Sequence, residues 1–165
     1  MKVIYSDNAI PKYSLGEDYI FLAGPTPRRK DVASWRPEAL DILKKLNFTG
    51  TVFIPEYSNT IIAEDDFNYI GQVEWEREAL VRCGAIGAIL FWVPRHIQDM
   101  PAFTTNVEFG YYLARYPKSI YYGRPDWAVK CDYLDWLYEK ETSFKAYNNL
   151  EKMTEDILDW FLISR

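Results

Sequence analysis

A glutamate close to a predicted helix start is the first candidate for chemistry. Glu108 stands in TTNVEFG, where Thr105 and Glu108 have the spacing of a capping box, which seals a helix start through backbone hydrogen bonds. The same glutamate follows an apolar, strand-like run, and ligand sites in α/β proteins form beyond the carboxyl ends of strands. Two hypotheses stay open, a helix cap and a nucleophile, and the local pattern favours the cap.

The predicted position of Glu108 also sets its expected charge. With Thr105 as the N-cap residue, Glu108 lies in the first helical turn, where the partial positive charge of the helix keeps a carboxylate ionised and its pKa low. Such a carboxylate is a weak general base at neutral pH. It can still attack an electron-poor anomeric carbon, as in retaining glycoside chemistry.

A basic loop is the second candidate. The stretch AGPTPRRKDVASWRP brings Thr26, Ser34, three arginines and a lysine in front of a predicted helix. Arginine side chains and a helix N-terminus suit a phosphate or a carboxylate. The spacings GxGxxG and GxxxxGK[ST] are absent, which excludes the usual dinucleotide and P-loop motifs. The alternative is a solvated basic loop without a ligand.

An acidic helix before the most apolar strand is the third candidate. Glu74 and Glu78 are one turn apart, whereas Glu76 faces roughly the opposite way. One of these two faces must look outward. For any single glutamate, the alternative is an ordinary exposed helix residue.

Strand-like and helical segments alternate along the chain and must position these candidates. Strands are predicted over 2–6, 18–25, 50–56, 85–94 and 118–123, and helices over 37–48, 72–84, 105–116, 126–140 and 144–163, with an exposed acidic loop over 56–71. The alternation predicts one α/β domain over 1–165, with a mainly parallel, doubly wound sheet and helices on both faces. The loops after Ala23, Ile54 and Val93 are then the expected site.

Composition excludes several classes of function. The chain has 165 residues and a net charge of −5, so no general basic field would attract a nucleic acid polymer. Cys83 and Cys131 lack metal-ligand spacing and are expected to be reduced in a cytoplasmic protein. His96 is the one histidine, which argues against a Ser-His-Asp triad or a His-rich metal site. The N-terminus does not resemble a signal peptide, and the longest apolar run is too short to span a bilayer.

Seven segments in order resemble the nucleoside 2-deoxyribosyltransferase-like family. They are YIFLAGPTPR, SWRPEAL, GTVFIPE, VEWEREAL, AILFWVPR, FTTNVEFG and YYGRP, between about Tyr19 and Lys130, with FLAGP and NVEFG the most specific. The resemblance implies a flavodoxin-like sheet of about five strands and no metal or organic cofactor. It also implies a homo-oligomer whose active sites are shared between subunits.

The resemblance also implies roles for particular residues. Glu108 matches the glutamate that attacks C1′ of a nucleoside, and Glu76 best matches the acidic residue that contacts the base. The remaining substrate-binding residues are expected to be Gly24, Pro25, Thr26, Arg28, Trp35, Trp75, Thr105 and Asn106. The chain departs from the family pattern at Ala102, where many members have aspartate, and at Cys83-Gly84, which replaces an Ala-Asp element.

Three functions stay open on the sequence. The first is a nucleoside 2-deoxyribosyltransferase that takes a nucleoside and a free nucleobase. The second is a nucleotide N-glycoside hydrolase, acting on a 5′-monophosphate or an NAD-type substrate held by the basic loop. The third is a non-catalytic nucleotide-binding module. Loss of activity on changing Arg28 and Arg29 would favour the second over the first.

Overall fold

Five parallel strands form one sheet in the computed structural model, which describes residues 1–58 and 68–163. The strands are β1 (Lys2–Tyr5), β2 (Tyr19–Ala23), β3 (Thr51–Ile54), β4 (Ala88–Trp92) and β5 (Ile120–Gly123), and the helices are α1 (Arg36–Lys45), α2 (Tyr69–Ile86), α3 (Phe103–Arg115), α4 (Asp132–Thr142) and α5 (Leu150–Ile163). The strand order across the sheet is β1-β3-β2-β4-β5.

The sheet is covered on both faces, as its continuous apolar strands require. The side chains of β2 and β4 are buried throughout, because alternate residues of YIFLA and AILFW enter opposite cores. One core contains Phe21 and Phe91 with residues of α2, α3 and α4, and the other contains Leu22 and Leu90 with residues of α1 and α5. The predicted doubly wound α/β fold is confirmed.

The strand order is flavodoxin-like with a change at each edge. Without β1, the order β3-β2-β4-β5 is that of the first four strands of the flavodoxin-like sheet. β1 adds a parallel strand beside β3. At the opposite edge, Tyr147 forms a single parallel bridge with Gly123 of β5. The central strands keep the flavodoxin-like arrangement that places a ligand site at their carboxyl ends.

Helix α2 is longer than predicted at both ends. Asn68 caps its start by accepting a hydrogen bond from the Gly71 N–H at 3.0 Å, so residues 69–71 are helical rather than part of the acidic loop. Most of that loop, 59–67, lies outside the described residues. The helix continues past the predicted end at Gly84. This glycine serves packing rather than helix termination, because a Cβ atom at its position would overlap the ring of Tyr116.

Helices α4 and α5 begin later than predicted because tertiary contacts hold the residues before them. The Val129 N–H donates to the Arg95 carbonyl at 3.2 Å, which ties this segment to the loop after β4. Tyr147 exchanges backbone hydrogen bonds with Tyr122 and Arg124 at the edge of the sheet. The buried stripe of α5, Leu150–Phe161, packs on the sheet as expected. Within the part of the chain that the structure describes, no helix has the length and apolar character to cross a membrane.

Candidate active site

A cavity of about 850 Å³ opens at the carboxyl end of the sheet. The loop after β2, the segment after β3, the first turns of α2 and the start of α3 form its walls. Its lining residues include Gly24, Pro25, Thr26, Arg28, Glu56, Gln72, Glu76, Phe103, Thr105 and Glu108. The predicted loops after β2 and β3 therefore meet here, with the helix that follows β4 completing the wall.

Gly24 allows the two central strands to approach each other at the base of this cavity. Its φ angle is 149°, and a Cβ atom at this position would overlap the carbonyl oxygen of Trp92. The indole of Trp35 lies close to the same point and donates from Nε1 to the Pro25 carbonyl at 3.2 Å. Only glycine fits this conformation and this space, so the loop after β2 has a fixed path.

The capping box predicted for Thr105 and Glu108 is wrong. Helix α3 begins at Phe103, and its N-cap residue is Ala102, which has a left-handed φ of 60° and no side-chain hydrogen bond to the described helix start. Thr105 therefore lies inside the first turn, where it is buried. Glu108 lies one turn further along and lines the cavity. Its carboxyl group is thereby available for a ligand.

Glu76 of α2 and Glu108 of α3 form a hydrogen-bonded carboxyl pair in the lining of the cavity. Burial raises the pKa of Glu108 to about 8, with a further contribution from Glu76, while Arg36 acts in the opposite direction. Burial also raises the pKa of Glu76, and hydrogen bonds from Gln72 and Glu108 oppose this. The two carboxyl groups therefore share a proton at neutral pH. The predicted low pKa of Glu108 is wrong, because burial and a like charge outweigh the helix end.

Arg36 is buried behind the cavity wall, with 1% of its surface exposed. Its guanidinium donates to the carbonyls of Leu22 at 3.0 Å and Gly24 at 2.7 Å, and to the hydroxyl of Thr26 at 3.2 Å. It also donates to the carboxylate of Glu56 at 2.6 Å, next to β3. This single side chain joins the carboxyl ends of β2 and β3.

Three cations lie on the exposed part of the cavity wall, and we call them the basic rim: Arg28, Arg29 and Lys30. Arg29 forms ion pairs with Asp31 and, at 3.6 Å, with Asp99. The guanidinium of Arg28 lies 5.4 Å from the centre of the Phe103 ring, at the first residue of α3. Arg28 is therefore held beside the start of α3.

Three of the predicted substrate-binding residues lie outside the cavity lining. Trp35 is in the core beneath it, and Trp75 packs against the rings of Phe21 and Phe53. Asn106 accepts a hydrogen bond from Arg95. The other predicted residues, Gly24, Pro25, Thr26, Arg28, Glu76, Thr105 and Glu108, all line the cavity.

Three important residues were missed in the sequence: Arg36, Glu56 and Gln72. Gln72 donates to the Glu76 carboxylate at 2.6 Å, and its position four residues before Glu76 on one helix face was a usable signal. Arg36 stands directly before Pro37 at the start of α1. The local sequence around Arg36 does not distinguish it from the exposed arginines of the preceding loop.

Comparison with known proteins agrees with this arrangement. The family model described as nucleoside 2-deoxyribosyltransferase like matches residues 17–126, which is most of the chain and includes β2–β5 and the cavity. No curated protein matches the chain significantly. Among the described residues, no group of three His, Cys, Asp or Glu side chains is arranged to hold a metal ion. The chain belongs to the nucleoside 2-deoxyribosyltransferase-like family.

Proposed function

We propose that the chain is an enzyme that cleaves and transfers the N-glycosidic bond of nucleosides, a nucleoside 2-deoxyribosyltransferase. The observation that supports this most strongly is the Glu76–Glu108 pair on the wall of a cavity large enough for a small organic molecule. Two carboxyl groups that share one proton can supply a nucleophile and an acid together. Membership of the family supports the same chemistry.

In the first half-reaction, the shared proton moves to Glu76, and the ionised carboxylate of Glu108 attacks C1′ of the sugar. The bond from C1′ to the base nitrogen breaks, and its electron pair leaves with the base. Glu76 gives its proton to the base. The sugar is then held as an ester of Glu108, which divides one difficult displacement into two easier ones.

In the second half-reaction, a nitrogen of an incoming free base attacks C1′. The ester bond breaks, its electron pair returns to the carboxylate of Glu108, and Glu76 takes the proton released by the attacking nitrogen. Water in place of the base would give hydrolysis by the same route. The two outcomes differ in the acceptor and need the same two carboxyl groups.

An exchange assay tests the proposal. The protein is incubated with a deoxynucleoside and a different free base, and chromatography detects the exchanged nucleoside. Glu108→Gln should abolish exchange and also the deoxyribosyl adduct seen by intact-protein mass spectrometry. Glu74→Gln, an exposed position on α2, is the matched control and should retain activity. Full activity of Glu108→Gln would refute Glu108 as the nucleophile.

The basic rim supports a second candidate, hydrolysis of a nucleotide. Arg28 of the loop after β2 lies beside the start of α3, and a cation beside a helix N-terminus favours an anionic group such as a 5′-phosphate. Arg28→Ala should then lower kcat/KM for a nucleoside 5′-monophosphate about tenfold or more, through loss of a charged hydrogen bond, and leave the nucleoside little affected. Lys118→Ala serves as the control, because Lys118 is an exposed cation that does not line the cavity.

Two further outcomes of these assays would redirect the assignment. Base release without exchange would indicate a hydrolase. Tight nucleotide binding without any turnover would favour the non-catalytic module.

A homo-oligomer with shared sites also stays a prediction, which sedimentation at several protein concentrations would test.

A further inference from the structure

We propose that Arg36 is the positioning residue of this site, which fixes the loop after β2 and supplies the positive charge that the Glu76–Glu108 pair faces. Its role in turnover depends on the function proposed above, whereas its effect on the carboxyl pair can be measured without turnover. Arg36 is absent from the cavity lining, so it acts through the groups that it holds.

The hydrogen bonds of Arg36 determine the shape of one cavity wall. Two of its acceptors, the Leu22 and Gly24 carbonyls, are backbone atoms where β2 ends, and Thr26 is two residues further along the loop. Glu56, the acceptor beside β3, also accepts from the Ser34 hydroxyl at 2.8 Å. A planar guanidinium with five donors can serve all these acceptors at once, which a lysine cannot do.

The charge of Arg36 reaches across the wall to the carboxyl pair. Arg36 lowers the pKa of both Glu76 and Glu108, against the dominant effect of burial. Without this cation, the pair would hold its proton more tightly, and ionised Glu108 would be scarcer. Glu56 offsets part of the cation, because it is in direct contact with the guanidinium.

Other charged and titratable groups face the pair but differ from Arg36 in place or exposure. Tyr112 is on the same helix as Glu108. Its pKa is raised mainly by burial and, to a smaller extent, by the charge of Glu108. The remaining groups on the cavity wall are Tyr57, Tyr69 and the three cations of the basic rim. The rim cations are exposed, so solvent screens them more than buried Arg36.

The decisive experiment is an NMR titration of glutamate side-chain carboxyl groups labelled with ¹³C. The pair is assigned with Glu76→Gln and Glu108→Gln and titrated in the wild type, Arg36→Met and Glu56→Gln. Arg36→Met should raise the pKa of the pair by about one unit, because an opposite charge is lost. Glu56→Gln should lower it, because a negative charge on the cavity wall is lost and Arg36 is no longer offset. Glu38→Gln, exposed on the first turn of α1, should leave it unchanged.

The opposite directions separate a charge effect from loosened packing. Arg36→Met removes four hydrogen bonds and could prevent folding, in which case the double variant Arg36→Met/Glu56→Gln, which leaves no buried charge unpaired, is compared with Glu56→Gln. A pKa of the pair that is no higher in this double variant than in Glu56→Gln would overturn the inference. Absence of turnover in the wild type, with the predicted shifts present, would overturn the proposed function and support the role of Arg36.

Arg36→Lys tests the geometric half of the inference. Lysine keeps the charge but cannot hold both loops, so the pKa of the pair should stay near that of the wild type. We expect kcat/KM to fall about tenfold or more, because small displacements of positioning groups reduce rates strongly. Unchanged kcat/KM in Arg36→Lys would overturn the positioning role.

Discussion

Replacing Glu108 by glutamine should make the folded chain more stable at neutral pH. In the folded chain the pKa of this group is raised from 4.5 to about 8. Between these values the folded state holds a proton that the unfolded chain has released, so stability falls as the pH rises through this window. Below the lower value both states are protonated and the penalty disappears. Glutamine has no such proton, so the variant should keep only the part of the decline that comes from Glu76.

The magnitude follows from the same values. One pKa unit corresponds to about 1.4 kcal/mol, so the interval from 4.5 to pH 7 gives a penalty of about 3 kcal/mol. The substitution also weakens the contact with Glu76, which costs about 1 kcal/mol. The expected net gain is about 2 kcal/mol at pH 7 and close to zero at pH 5.

Urea unfolding of the wild type and Glu108→Gln at several pH values between 5 and 9 measures this difference. Glu74→Gln provides the comparison, and its difference from the wild type should not change across this range. If the advantage of Glu108→Gln were the same at pH 5 and pH 8, or reversed at pH 8, the shared proton would be refuted.

The carboxyl pair, Gly24 and Ala102 can each be tested by one further measurement. Under the proposed mechanism, kcat/KM should fall about tenfold per pH unit above about 8, because the Glu76–Glu108 pair then loses its proton; a flat profile to pH 9.5 would contradict this. Gly24→Ala should destabilise the fold by about 3 kcal/mol or more in urea unfolding, because its Cβ atom overlaps the Trp92 carbonyl. Ala102→Gly should change stability by less than about 1 kcal/mol, because relief of the left-handed φ is offset by the loss of a buried methyl group and by the greater backbone freedom of glycine; a loss above about 2 kcal/mol would argue against that strain.

The strands were predictable because their signal is local and strong. YIFLA and AILFW are apolar throughout, and strands of this kind have to be buried on both faces. The carboxyl ends of such strands then indicated the loops that form the cavity. The orientation of Glu76, opposite to Glu74 and Glu78, followed from helical spacing alone, and Glu76 is the member of this group that lines the cavity.

The start of α3 was not predictable from its local pattern. Thr105 and Glu108 have the right types and spacing for a capping box, yet the helix begins at Phe103. The loop after β4 determines this start through contacts distant in sequence, such as the Arg28 N–H that donates to the Asp99 carbonyl at 2.9 Å. The pKa of Glu108 was missed for the same reason, because its neighbour Glu76 comes from another helix.

Arg36 shows a second limit of sequence reasoning. It shares a basic stretch with Arg28 and Arg29, and all three suggest a solvated loop or an anion site. Only the fold turns Arg36 inward, where backbone carbonyls and Glu56 satisfy its donors. A charged residue can be placed in a core when its hydrogen-bond partners are known, and those partners are brought together by tertiary structure.

The tight packing around Gly24 determines how the substrate range of this protein could be altered by directed evolution. Substitutions at Gly24 would disturb the ends of two central strands, so most such variants should be lost to misfolding. The exposed positions Arg28, Lys30 and Phe103 carry no such constraint from core packing. A library confined to them should keep the fold in most members and vary what the mouth of the cavity admits.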